Sequence, residues 1–201
     1  MPRWRRALDK NPIVLLELVE RLGNLMRSEL RKAGSDESLQ AVHIQSLMYL
    51  ARANRYSNTP QALADYLGLT KGTISQTLLL LDRRGLVERF EDEIDRRVVR
   101  LRLSSAGEQL LAECQPALPW QNATRNISPN RIRNATSALR EALVTLQEDN
   151  EGTVFGTCNG CTHCQKLSQR VYRCGQMGDR LSTPETRKLC RIYVPKAEET
   201  A

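Results

Sequence analysis

The apolar period of this chain changes between residues 60 and 103, and that change constrains the fold more than any other feature of the sequence. Pro60 stands at a first-turn position, Gln61 to Leu67 follows as a short helix, and Gly68 closes it. Thr70 is a good N-cap, and Lys71 to Arg84 reads as a second helix that ends at Gly85. Two short helices joined by a tight Gly-containing turn make a helix-turn-helix. Beyond Gly85 the period falls to two. Leu86 to Phe90, a charged turn from Glu91 to Asp95, and Arg97 to Leu103 predict a hairpin. On its second strand Val99, Leu101 and Leu103 share one face, and Arg100 and Arg102 point the other way.

Longer helical patterns flank this unit. From Pro12 to Lys32 the residues Leu15, Leu18, Val19, Leu22, Leu25, Met26 and Leu30 recur three and four apart, and Gly34 ends the run. Ser35 to Ser38 supplies capping residues for a second helix carrying Leu39, Ile44, Leu47 and Leu50, and Asn54 to Thr59 is a polar loop. Ser104 opens a helix containing Leu110 and Leu111 that Pro116 and Pro119 must bend or end. After Pro129 a further helix to Glu148 aligns Ile132, Ala135, Leu139, Leu143 and Leu146. Helices at both ends of so small a core have no partner within one chain, so a homodimer that buries them is predicted. The fold class is therefore mainly α with a small β-hairpin wing: residues 1–150 form a winged helix-turn-helix domain with dimerisation helices, its core about 38–103, and residues 151–201 a cysteine-rich segment.

Composition narrows the partners. The chain has 201 residues, 30 Lys and Arg against 23 Asp and Glu, and a net charge of +7, which favours a polyanionic partner through steering and counterion release. The basic start, Met1 to Arg6 with Trp4, runs into Ile13 to Glu20, where two carboxylates interrupt the apolar residues and no cleavage site follows. No stretch approaches the roughly 20 apolar residues of a membrane span, so a soluble cytoplasmic protein with no membrane partner is expected. With two His, no glycine-rich phosphate loop and no nucleophile motif, the chain is not expected to be an enzyme.

A helix that reads duplex DNA needs short polar side chains near its N-terminus, cations for phosphates and a companion helix to fix its angle. The helix from Lys71 supplies Thr73, Ser75, Gln76 and Thr77, with Gln76 able to pair bidentately with adenine. Lys71 and the helix N-terminus suit phosphate oxygens, and Arg96 and Arg97 beside the hairpin tip suit the minor groove. Taken singly, each of these is an ordinary solvated surface. In this order they are a DNA-binding set.

The stretch from Leu78 through Gly85-Leu-Val to Asp95-Arg-Arg and Leu103-Ser-Ser-Ala-Gly resembles the signature of the MarR family, with the specific part between Pro60 and Gly107 and the likeness running from Pro12 to Glu148. The resemblance implies a homodimeric transcriptional regulator on a near-palindromic double-stranded DNA site, with Arg97 as the wing arginine and Asp95 as the aspartate that braces the wing. Members respond to aromatic ligands or to thiol oxidation, but no small-molecule effector is legible here. Cys114 is a lone helical cysteine suited to packing, and the chain has only two Phe and two Trp.

Five of the six cysteines fall between residues 158 and 190. The knuckle Cys158-x2-Cys161, followed by Cys174 and Cys190, gives a series C-x2-C-x12-C-x15-C, enough thiolates for a closed tetrahedral zinc site. Cys164 extends the knuckle to C-x2-C-x2-C, the spacing of cysteines that wrap a [4Fe–4S] cluster. His163 is a further candidate, more ordinarily a neighbour of a site than a ligand. Five unconnected thiols are the plainer reading, but a segment of this size with so few apolar residues needs a staple to fold. Zinc and an iron–sulfur cluster both stay open, and so does a redox- or metal-sensing role for the cluster of cysteines. Two functions follow: a sequence-specific regulator, or a winged-helix scaffold that holds a protein partner and whose zinc tail is structural.

Overall fold

A computed structural model describes residues 11–115, 117–150 and 152–196. The Met1 to Arg6 start with Trp4, and Pro116, lie outside the described residues. The chain runs through α1 (Asn11–Ala33), α2 (Ala41–Arg52), α3 (Pro60–Leu67), α4 (Lys71–Arg83), β1 (Val87–Glu91), β2 (Val99–Leu103), α5 (Ser105–Cys114), α6 (Leu118–Thr124) and α7 (Pro129–Asp149). Seven short segments of the cysteine-rich tail follow, five of them strands: β3 (Gly156–Thr157), β4 (Cys164–Lys166), β5 (Val171–Cys174), β6 (Arg180–Ser182) and β7 (Leu189–Cys190).

Capping explains the starts of α3, α4 and α5. Thr59 accepts a hydrogen bond from the Ala62 N–H, Thr70 from Thr73 and Ser104 from Gly107, each satisfying an amide that the first turn leaves free. Gly68 and Gly85 take positive φ, the left-handed conformation that ends a helix without a Cβ penalty. The start of α2 differs from expectation. Ser35 to Ser38 form a turn, and the cap is Gln40, whose N–H donates to His43 Nδ1 at 2.9 Å. Leu39, read from its spacing as helical, precedes α2 but is still buried. Spacing alone marks burial, and not which side of a helix boundary a residue occupies.

The core is aliphatic. Ile44 and Leu47 of α2, Leu63 of α3, Ile74, Leu78 and Leu81 of α4, Val87 of β1 and Leu101 of β2 are buried together. Strands β1 and β2 pair antiparallel with Val87 opposite Leu103 and Glu91 opposite Val99. Only Leu101 of the expected apolar face is fully inside, because the outer half of the hairpin projects past the core and leaves Val99 exposed. The α1 stripe from Leu15 to Leu25 is exposed, as are Leu139, Leu143 and Leu146 of α7.

The cysteine-rich tail is not an appendage hanging from α7. Strand β7 pairs with β3, and β4, β5 and β6 form an antiparallel sheet in which Cys164 lies opposite Cys174. Leu189 and Phe155 enter the main core, Phe155 standing edge-on to Tyr49 and Tyr66 with ring centroids 6.3 and 5.3 Å apart. A Cβ at Gly156 would meet the Tyr193 ring at 2.6 Å, so only glycine allows that close approach. What remains for the tail's own apolar cluster is Leu181 with two cysteines, packed against Tyr56, Cys164 and Tyr172.

Candidate nucleic-acid interface and cysteine cavity

Helix α4 turns Ile74, Leu78 and Leu81 inward, and its opposite face carries Lys71, Thr73, Ser75 and Gln76 into solvent. Thr73 also shares a 2.9 Å hydrogen bond with the Thr70 cap hydroxyl, so its side chain is held at the helix start. Thr77 does not belong to this face. It stands three residues after Ile74, on the core side of the helix, and is only 4% exposed, too buried to reach a base edge. This corrects its assignment to the DNA-reading set.

The wing is built by two aspartates. Asp92 Oδ1 accepts the Ile94 and Asp95 N–H groups, both at 3.0 Å, and its Oδ2 accepts Arg100 Nε at 2.6 Å. The Asp95 amide, with Arg100 and the Ile94 amide, pulls the Asp92 carboxyl down to about 2. Asp95 binds Arg97 through both carboxylate oxygens, each at 3.0 Å, and the Arg97 side chain stays 90% exposed. The brace between Asp95 and Arg97 is therefore present, and it aims the guanidinium without covering it. Arg96 is exposed beside it.

Lys71, Ser75 and Arg97 line a common groove of about 580 Å³ between α4 and the wing, and Arg191 of the tail shares it. Sequence reasoning missed Arg100. Its strand position suggested a solvent-facing cation, yet it donates to Asp92, to the Arg55 carbonyl at 2.6 Å and to Asn58 Oδ1 at 3.2 Å, tying the wing to the loop before α3. No spacing rule signals a contact made across 45 residues.

The second cluster is the cysteine cavity. Cys158, Cys161, Cys164, Cys174 and Cys190 line one small cavity with His163, Leu181, Ile192 and Tyr56. Four of the thiols are buried and Cys164 is half-buried. Among the described residues, however, no three His, Cys, Asp or Glu side chains are grouped as one metal ion would require. The thiols surround the cavity and do not converge on a single point. Cys158 is pushed up, first by the neighbouring Cys190 thiol and then by burial, whereas Cys190 is held low by Cys158 and by the Asn54 side chain. The donor set suits a thiophilic metal. A buried amide, Asn54 Nδ2, makes no hydrogen bond among the described residues.

Cys114 packs against the main core and donates to the Ala33 carbonyl at 3.0 Å; burial pushes its thiol up, away from the reactive thiolate. A larger cleft between α7 and the tail gathers Tyr66, Phe155, Tyr193 and Arg140. The scarcity of aromatic residues in the sequence concealed this gathering, since three rings suffice to line one wall.

Comparison with known proteins places this geometry. Residues 38–98 match the MarR family. A MarR-family transcriptional regulator from Silicibacter pomeroyi superposes with a TM-score of 0.60 at 20% identity, over 69% of this chain and 94% of that one. A MarR transcriptional regulator from Methanosarcina mazei Go1 gives 0.57 at 23% identity, over 67% and 97%. The S. aureus MepR–DNA complex gives 0.54 at 20% identity, over 64% and 96%. At these identities the likeness is one of fold. No curated protein matches the chain in sequence. No helix among the described residues is long and apolar enough to cross a membrane. Residues 38–98 carry the winged helix-turn-helix fold of the MarR family.

Proposed function

We propose that this protein is a sequence-specific transcriptional regulator that binds double-stranded DNA as a homodimer. The observation that carries the reading is the shared groove: Lys71 and Ser75 of α4 and the braced Arg97 of the wing face one space. A helix flanked by such a ribbon suits a major groove and the adjoining minor groove. That MepR, of the same fold, was solved with DNA supports the same polyanionic partner here. Exposed apolar stripes on α1 and α7 support the homodimer, since no surface so apolar is favoured in water without a cover. The test is an electrophoretic shift with DNA from upstream of the chain's own coding region, followed by footprinting. Protection of two half-sites about one helical turn apart is expected. No specific complex would favour the scaffold reading instead.

The cysteine cavity supports a second element of the same proposal. Five thiols around one small space are read as ligands of zinc or of an iron–sulfur cluster, making the regulator metal- or redox-responsive. Protein purified without oxygen is analysed by absorption spectroscopy together with metal and acid-labile sulfide content. A brown protein with iron matched by sulfide means a cluster; a colourless protein with one zinc per chain means a structural site. A chain carrying neither removes this element.

A further inference from the structure

The cysteine segment carries most of the chain's excess positive charge. Residues 152–196 hold eight Lys and Arg against two Asp and Glu, a net charge of +6 where the whole chain has +7. Both carboxylates are turned to the winged core: Asp179 accepts the Tyr56 hydroxyl at 2.6 Å, and Glu185 pairs with Arg55. The cations face outward, all of them exposed except Arg191, which is half-buried. A surface of one sign repels itself and is relieved by a polyanion.

The small sheet sets two of these cations in direct opposition. Arg173 of β5 lies opposite Arg180 of β6, on the face away from the buried Cys174 and Leu181. Like charges directly opposed across strands destabilise the pair. Among the described residues neither arginine is paired with a carboxylate. Arg180 follows Asp179, which holds Tyr56, and Tyr56 lines the groove between α4 and the wing. Arg191 enters that groove itself. Its Nε donates to Asp65 Oδ2 at 2.9 Å, its Nη2 lies 2.8 Å from the same oxygen, and Asp65 Oδ1 accepts Gln61 Nε2 at 2.6 Å. Gln61 and Arg191 line the groove and Asp65 does not, so the carboxylate aims the guanidinium from behind, as Asp95 aims Arg97. The Arg191 side chain stays 37% exposed. Among the described residues, four cations line this groove, Lys71, Arg97, Arg100 and Arg191, and no carboxylate does.

We propose that the cysteine segment is a second DNA-contacting surface: Arg191 at the groove, and the opposed Arg173 and Arg180 on the outer face of the sheet, bind backbone phosphates that flank the bases facing α4. The inference rests on the DNA-binding reading and adds a third element to the contact made by α4 and the wing. Phosphate contacts position a protein on a duplex without reading its sequence. The segment therefore supplies affinity and register, and base choice stays with α4.

The test is fluorescence anisotropy with full-length protein over a range of salt, on an upstream duplex and on one of scrambled sequence. Arg191→Gln is expected to flatten the slope of log affinity against log salt by about 2, one contact from each protomer of a dimer. It weakens binding to both duplexes by the same factor, as loss of a phosphate contact does. The double variant Arg173→Gln with Arg180→Gln, which alters only exposed side chains, flattens the slope by about 3–4. Because Arg191 also holds Asp65, circular dichroism checks each fold, and the double variant decides the matter if Arg191→Gln unfolds. An unchanged slope in either folded variant overturns the inference and leaves the contact by α4 and the wing standing. A loss confined to the upstream duplex also overturns it, since the residue would then read bases. A parent protein that binds neither duplex removes the DNA-binding reading and this inference with it.

Discussion

The winged helix-turn-helix and the cysteine-rich tail are held together by different physics. In the first, leucines, isoleucines and valines from seven elements share one interior, and each element buries a face against at least one other. In the second, three-residue strands and turns surround a small thiol-lined cavity, while its best apolar residues, Phe155 and Leu189, are lent to the other region. A core that pools many aliphatic side chains loses one at a finite cost and stays folded. A region whose interior is sulfur depends on what the sulfur binds.

Metal removal should therefore separate the two regions most sharply. Chelation is expected to abolish amide protection across residues 156–190 while α2 and α4 stay protected, since thiolate–metal binding contributes about 10 kcal/mol or more to small cysteine-rich folds. Equal protection in both regions before and after chelation would show that the tail folds without a metal. Next in size is Leu78→Ala. Leu78 is wholly buried in α4, and its truncation should lower the unfolding free energy by about 2–5 kcal/mol in denaturant titration without changing metal content.

Arg97→Ala should act on neither region's stability. Its side chain is exposed and tethered only to Asp95, so unfolding should move by less than about 0.5 kcal/mol. Affinity for an upstream duplex should fall by about 1–2 kcal/mol, because a guanidinium aimed at DNA is lost. An unchanged affinity with an intact fold would remove the wing from the interface. The smallest effect concerns His43, buried in α2, where burial first and then the Arg84 guanidinium hold the imidazole below its ordinary value. The unfolded chain binds that proton more readily, so this contribution is present above pH 6.5 and is lost as pH falls through the folded value. Stability should decline as pH falls below 6.5, and His43→Gln should flatten that slope.

Local signals were legible and distant ones were not. Pro60, Gly68, Thr70 and Gly85 mark α3 and α4 in the sequence because each acts through its own backbone or the next turn. The brace of Asp95 on Arg97 was implied by the MarR resemblance and not by the spacing of the two residues. Thr77 was misread although the signal was available, since Ile74, Leu78 and Leu81 define an inward stripe on which it also falls. Asn54 to Thr59 offered nothing beyond polarity. Its backbone is held by Tyr49, Arg100 and Leu101 of the winged core and, more than 130 residues away, by Leu189 and Arg191, and no period or spacing encodes those meetings. The cysteines were legible as a set, and the structure brings all five to one cavity, but their docking against the helix-turn-helix depends on tertiary contacts alone.

The most direct test of the account is a salt titration of binding to two duplexes, one from upstream of the coding region and one of scrambled sequence, with protein purified without oxygen. The account predicts tighter binding to the upstream duplex and an affinity that falls steeply and linearly with log salt, as expected when Lys71, Arg96, Arg97 and their dimer mates displace counterions. Equal affinity for the two duplexes, or binding that ignores salt, would contradict it.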